Sequence, residues 1–209
     1  MLIDFLTSAL VTLLVTVDPP GLAPIFLGIT PGMSGPERNQ VAMRACVIAT
    51  CIMAASGIVG AQLLSALGIT LPAFRIAGGL LLFWIAFEMV FARRNDRKSE
   101  QAEQAVTLDH IRNVAAFPLA IPLMAGPGAI TATILLAGRA QGDPLKLGIL
   151  LAVIVGVMLS CYLTFLAAGK ISKALGVTGN VVLTRLLGVI LAALAVQFVA
   201  DGVKAIIAA

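Results

Sequence analysis

Charge is scarce in this chain. Asp, Glu, Lys and Arg together make up 11% of the 209 residues, against about a quarter in an ordinary soluble domain. That deficit excludes a water-facing globular domain. The abundance of apolar surface excludes a disordered chain as well. Histidine occurs once, at His110, and cysteine three times, at Cys46, Cys51 and Cys161. No two cysteines form C-x-x-C, and a lone histidine in a charged stretch cannot complete a metal cluster. Neither a disulfide framework nor a zinc site is expected. The chain lacks a G-x-S-x-G elbow, a Walker loop and an H-E-x-x-H pair, the signatures of hydrolases, nucleotide-driven pumps and metalloproteases. We therefore expect no enzyme activity, no metal and no cofactor.

What is there is apolar: 60% hydrophobic residues and a mean hydropathy of +1.06. This is the profile of a polytopic membrane protein in one domain, with the lipid bilayer as its main partner. The net charge of +4 is spread between apolar runs rather than gathered on one face, so no nucleic-acid partner is expected. A spanning helix needs about 20 mainly apolar residues. Six segments qualify: 2–30, 41–67, 74–91, 114–137, 145–168 and 181–207. None alternates polar with apolar residues as a barrel strand would. The N-terminus has Asp4 where a signal peptide would carry Lys or Arg, so we read it as the first membrane segment. No lipidation motif is evident.

The longest polar stretch, 92–113, holds Arg93, Arg94, Arg97, Lys98 and Arg112 among Asp96, Glu100, Glu103 and Asp109. It divides a first repeat, 1–91, from a second, 114–209, and reads as a solvated cytoplasmic connector. With six crossings, the connectors at 31–44, 92–113 and 169–180 share one side and hold most of the basic residues. The positive-inside rule then puts both termini outside the cytoplasm. If segments one and four are re-entrant hairpins instead, the C-terminus moves inside, and charge alone does not separate the two arrangements.

The two repeats match in order. Pro20-Gly21 answers Pro127-Gly128, Leu67-Gly68-Ile69-Thr70 answers Leu175-Gly176-Val177-Thr178, and Arg75-Ile76-Ala77-Gly78 answers Arg185-Leu186-Leu187-Gly188. Offsets of 107, 108 and 110 residues separate these pairs. Three crossings per repeat is an odd number, so the repeats are expected to be inverted. The expected fold is all-α, with six transmembrane helices and with helices 1 and 4 broken at the Pro-Gly motifs. Inverted repeats with matching broken helices are a recurrent secondary-transporter design.

Proline removes a backbone donor and clashes with the preceding turn. In hydrocarbon each orphaned backbone group costs several kcal/mol, so such breaks must face protein or a wet cavity. Helices restarting at Leu22 and Ala129 would offer free N–H groups and positive dipole ends to a carboxylate. The freed carbonyls would suit an ammonium group or a cation. A small zwitterionic solute fits both surfaces. The candidate binding residues are Asp18, Pro19, Pro20 and Gly21 with Gly126, Pro127, Gly128 and Thr131. Asp18, an acid deep in an apolar run, reads as a substrate-amine or proton site, or else as an N-cap or a mate for Arg75. Its counterpart in the second repeat is near Ala125, so acid chemistry here is one-sided. Arg75 and Arg185 read as side chains snorkelling toward a headgroup, or else as a gate or a substrate-carboxylate contact. Glu88 reads as interfacial, with a functional role as the alternative. Thr131 and Thr133 either touch a ligand or back-bond within their helix. The ladder Gly148, Ala152, Gly156, Ser160, Thr164, Ala168 reads as a packing face.

The runs VDPPGLAPIFLGIT (Val17 to Thr30), AIPLMAGPGAITATILLAG (Ala120 to Gly138) and LGIT…FRIAGG (Leu67 to Gly79) resemble the MarC family of bacterial inner-membrane proteins, also termed UPF0056 and a neutral amino-acid transporter family. The resemblance covers essentially the whole chain. It implies a six-helix inner-membrane fold and, for some members, movement of small neutral amino acids such as glycine and alanine. We therefore expect a secondary transporter or exporter of such solutes working by alternating access, with H+ or Na+ as candidate coupling ions. The alternative is a non-transporting membrane protein that assembles with or stabilises a partner.

Overall fold

The computed structural model describes residues 2–91, 93–94, 97–100, 114–140 and 142–208. Most of the 92–113 connector, His110 and Arg112 included, lies outside the described residues. The architecture is all-helical. Helices α1 (Leu2–Val17) and α2 (Pro19–Ile29) run as one interrupted segment. They are followed by α3 (Gly35–Ala66) and α4 (Leu71–Val90). An irregular coil, Ala115–Met124, has non-helical backbone at Phe117 and Ile121 and two cis X-Pro bonds, to Pro118 and Pro122. Then come α5 (Pro127–Ala140), α6 (Pro144–Leu166) and α7 (Ala168–Ile207).

Among the described residues five stretches are long and apolar enough to cross a bilayer: Leu2–Ile29, Gly35–Ala66, Leu71–Val90, Pro144–Leu166 and Thr178–Ile207. The coil and α5 make a sixth if they count as one span, bent by 58°. Residues 35–44, expected as a connector, are helical instead. The carboxylate of Glu37 accepts the Ser34 N–H at 2.7 Å and its hydroxyl at 2.8 Å, a cap that starts α3 well before the apolar run. Most of the 169–180 connector is also helical, interrupted at Gly176 with φ +59°. Gly68 has φ +70° and ends α3, with Ile69 N–H bonded to Leu64 O and Gly68 N–H to Ser65 O, a Schellman closure. The two Leu-Gly-x-Thr motifs thus each place glycine where a side chain would be strained.

The core forms around α1, α2 and α5, with Phe26 stacked on Phe165 at 4.6 Å. The outer helices turn Val47, Leu63, Trp84, Leu159 and Leu186 outward, as a lipid-facing surface requires. The pairings are α3 with α6 and α4 with α7. In addition α2 packs on α6 and α7, while α5 packs on α3 and α4; α1 packs on α6, while the 115–124 coil packs on α3. Helices α4 and α7 approach so closely that a Cβ on Gly79 would lie 2.8 Å from Ala195 O, and one on Gly188 would lie 3.1 Å from Ala86 O. In the α6 ladder Gly148, Ala152 and Gly156 are exposed, with nothing near either glycine, so within one chain this part of the face packs against no described residue.

Candidate functional site

The sequence Asp18-Pro19-Pro20-Gly21 dictates an unusual count of backbone bonds. In a continuous helix the carbonyls of Val15, Thr16 and Val17 would accept N–H groups from residues 19, 20 and 21. Pro19 and Pro20 have none. The Gly21 N–H instead goes to the Asp18 carboxylate, Oδ1 accepting at 3.3 Å. Three successive carbonyls are therefore orphaned at the end of α1. Asp18 makes this possible by adopting a left-handed conformation, φ +60°, which Asp tolerates better than most residues. Its carboxylate is buried, and Oδ2 has no hydrogen-bond partner among the described residues.

The orphaned carbonyls are met from an unexpected direction. The Arg94 guanidinium donates to Val15 O at 3.4 Å and to Thr16 O, and it also contacts Met89 Sδ at 2.8 Å. The Lys98 ammonium donates to Val17 O at 3.3 Å. Both come from the stretch read as a solvated connector, yet they are only 4% and 5% exposed. Arg97, itself exposed, pairs with the buried Glu88 carboxylate at 2.9 Å at the end of α4. Burial, followed by the neighbouring Arg94 charge, pushes the Lys98 ammonium down to about 7, while Asp18 acts in the opposite sense.

Facing the end of α1 is the start of α5. The N–H groups of its first turn have no intrahelical acceptor. Gly126 is needed because a Cβ there would lie 2.4 Å from Pro122 O. Gly128 is needed because a Cβ would lie 2.3 Å from Ile85 Cδ1 and 3.4 Å from Thr16 Cγ2. A cavity of about 50 Å³ remains, its lining including Thr16, Arg94, Arg97, Lys98, Gly126 and Gly128.

The structure thus brings Gly126, Pro127 and Gly128 to a cavity, but places Asp18, Pro19, Pro20 and Gly21 behind its wall. The α2 end is closed rather than open: it resumes at Pro19, Asp18 caps Gly21, and Leu22 N–H bonds to Asp18 O at 3.2 Å. Thr131 is buried away from the cavity, its methyl group 2.7 Å from where a Gly78 Cβ would stand. Thr133 back-bonds to Ala129 O at 2.8 Å. Arg75 is half-buried beside Gly202, and Arg185 is exposed; neither touches the cavity. At the other end of α5, Arg139 pairs with Asp201 at 2.8 Å, donates to Ser8 Oγ at 3.3 Å and lies 4.3 Å over the Phe198 ring.

Sequence reasoning missed Arg94 and Lys98. The signal that could have found them was arithmetic: two prolines and a capped glycine leave three carbonyls that must find donors elsewhere.

Tightly packed helices with lipid-facing outer surfaces and a polar centre define a multi-pass integral membrane protein. The chain belongs to the MarC family of integral membrane proteins, whose model matches residues 3–207. It is 34% identical to a UPF0056 membrane protein of Archaeoglobus fulgidus, over 96% of this chain and 92% of that one. It is 33% identical to the UPF0056 membrane protein YhcE of Escherichia coli, over 91% and 87%. It is 32% identical to the UPF0056 membrane protein YvbG of Bacillus subtilis, over 98% and 96%. No solved structure matches the chain.

Proposed function

We propose that this protein is a secondary transporter or exporter of small neutral amino acids, working by alternating access in the bacterial inner membrane. The observation that carries the reading is the polar cavity between the carbonyl end of α1 and the amide end of α5. Its volume of about 50 Å³ corresponds to roughly four water-sized positions. That suits a solute the size of glycine or alanine.

The packing pattern supports two inverted repeats, with the broken segments as equivalents. Exchanging α1 with the 115–124 coil, α2 with α5, α3 with α6 and α4 with α7 maps the main helix pairings onto one another. In this reading both termini lie outside the cytoplasm, and Arg94, Arg97 and Lys98 reach the cavity from inside. Proton coupling fits better than sodium coupling. The α1 carbonyls that could coordinate a sodium ion already have Arg94 and Lys98 as donors, whereas Asp18 and Lys98 are groups that can carry a proton. The outward small-residue face of α6 supports the alternative, assembly with a partner, and does not conflict with transport.

Counterflow of labelled glycine and alanine into proteoliposomes tests the reading, with Asp18→Asn and Gly128→Ala alongside. Protein-dependent exchange that is lost in the folded variants is expected. Absence of exchange for every neutral amino acid, with proton and sodium gradients imposed, would overturn it.

A further inference from the structure

Among the described residues the charges around the cavity do not balance: Arg94, Arg97 and Lys98 face the carboxylates of Asp18 and Glu88, and Glu88 is engaged by Arg97. Among the described residues, Arg94 and Lys98 bond to backbone carbonyls and sulfur, and neither forms an ion pair with a carboxylate. Two cations buried to this degree are costly unless a negative charge joins them. The start of α5 makes the imbalance larger, because a helix N-terminus carries roughly half a positive charge. At its other end α5 has Arg139 beside its last carbonyls, the favourable arrangement. Only the cavity end places cations against the positive pole.

We propose that Arg94 and Lys98 form, with the first-turn amides of α5, a binding site for a single carboxylate group, so that solutes are selected by their carboxylate rather than by their amine. This rests on the cavity being the solute site proposed above. The geometry supplies what a carboxylate needs: a guanidinium, an ammonium that makes one hydrogen bond among the described residues, and backbone N–H groups on a wall that two glycines keep free of side chains. The size limits the group to one carboxylate and a few further atoms. A bound carboxylate favours the charged form of Lys98, so affinity falls as pH rises through about 7. Among the described residues, the charged and titratable groups facing Lys98 are Arg94 and Arg97 of its own stretch, Asp18 between α1 and α2, and Cys161 of α6. Glu88 of α4 acts through Arg97.

The test is calorimetric binding to the purified full-length protein in detergent, with acetate, acetamide, methylammonium, glycine and glycinamide as probes. Acetate and glycine should bind, and acetamide, methylammonium and glycinamide should not. Arg94→Gln and Lys98→Met should each weaken acetate by about tenfold or more, and Arg94→Lys by less. Acetate affinity should also fall several-fold between about pH 6 and about pH 8 in the wild type, and not in Lys98→Met. The probe series needs no variant, so a variant that fails to fold does not blunt the test. Binding of acetate without glycine would uphold the carboxylate site and overturn the amino-acid reading. Binding of glycine and glycinamide alike, without acetate, would overturn the carboxylate site and leave transport standing. Binding of none of the probes would overturn the site.

Discussion

The two Pro-Gly interruptions share a sequence pattern and present opposite chemistry. At Asp18 the chain closes its amide end and opens its carbonyl end: the carboxylate caps Gly21, and three carbonyls are left to Arg94 and Lys98. At Gly126 the chain leaves an amide end open, and no acid replaces Ala125 to cap it. A proline pair and a single proline account for the difference. Pro19 and Pro20 delete two donors in succession, whereas Pro127 alone occupies a first-turn position where its N–H would be unpaired anyway. A symmetric motif thus yields an asymmetric pocket, with acceptors on one wall, donors on the other, and two long cations between them.

Glycine replacement breaks the comparison most strongly. Gly126→Ala puts a Cβ 2.4 Å from a backbone carbonyl, which cannot swing aside. Gly21→Ala puts one 2.2 Å from Asp18 Oδ2, a side-chain atom that can. We expect Gly126→Ala to cost about 3 kcal/mol or more and Gly21→Ala about half that, read as thermal unfolding in detergent. Equal losses would show that the two interruptions are equally rigid. Gly128→Ala belongs between them, since its main clash is with Ile85 Cδ1. Adding Ile85→Val removes that atom and should recover most of the stability, while binding stays impaired because the new methyl remains at the cavity wall.

Asp18 separates shape from charge. Asp18→Ala loses the cap, about 1 kcal/mol, and forces alanine into a left-handed conformation, about 1 kcal/mol more. Asp18→Asn keeps an acceptor for Gly21 and tolerates the conformation, so it should lose less than half as much. If both variants abolish exchange while only the alanine variant is unstable, the charge itself matters. If the asparagine variant transports normally at every pH, Asp18 is a cap and nothing more.

These contrasts mark what was legible in the sequence. Apolar runs of about twenty residues fix the spanning segments, and Pro-Gly within a run fixes where backbone groups come free. The cap role of Asp18 was readable as one of its alternatives, because Asp before a proline-led helix is a common N-cap. The partners of the freed carbonyls were hidden, because Arg94 and Lys98 lie in a polar stretch whose composition alone indicates solvent. Burial is a tertiary property: long basic side chains leave water when they find orphaned carbonyls to bond. The helical ends of α3 and α7 were obscured for a related reason. Polar residues such as Glu37 and Lys170 end the apolar run without ending the helix, and hydropathy reports the first boundary only.

The finest prediction concerns Lys98, which sits between the two walls and titrates where neither wall does. Its buried ammonium is pushed from the ordinary 10.5 to about 7. Between those values the unfolded chain holds a proton that the folded chain has released, so unfolding takes one up. Stability therefore rises with pH through this window, by about 1 kcal/mol between about pH 7 and about pH 8. Below about pH 7 both states are protonated, and the full cost of a buried cation is present. Lys98→Met should remove this slope, read as the difference between wild type and variant. A saturating carboxylate should shift the wild-type curve to higher pH, since it holds the proton on Lys98. An identical pH dependence in wild type and Lys98→Met would mean that the ammonium reaches water, and that the donor wall of α5 faces a solvated rather than a buried cation.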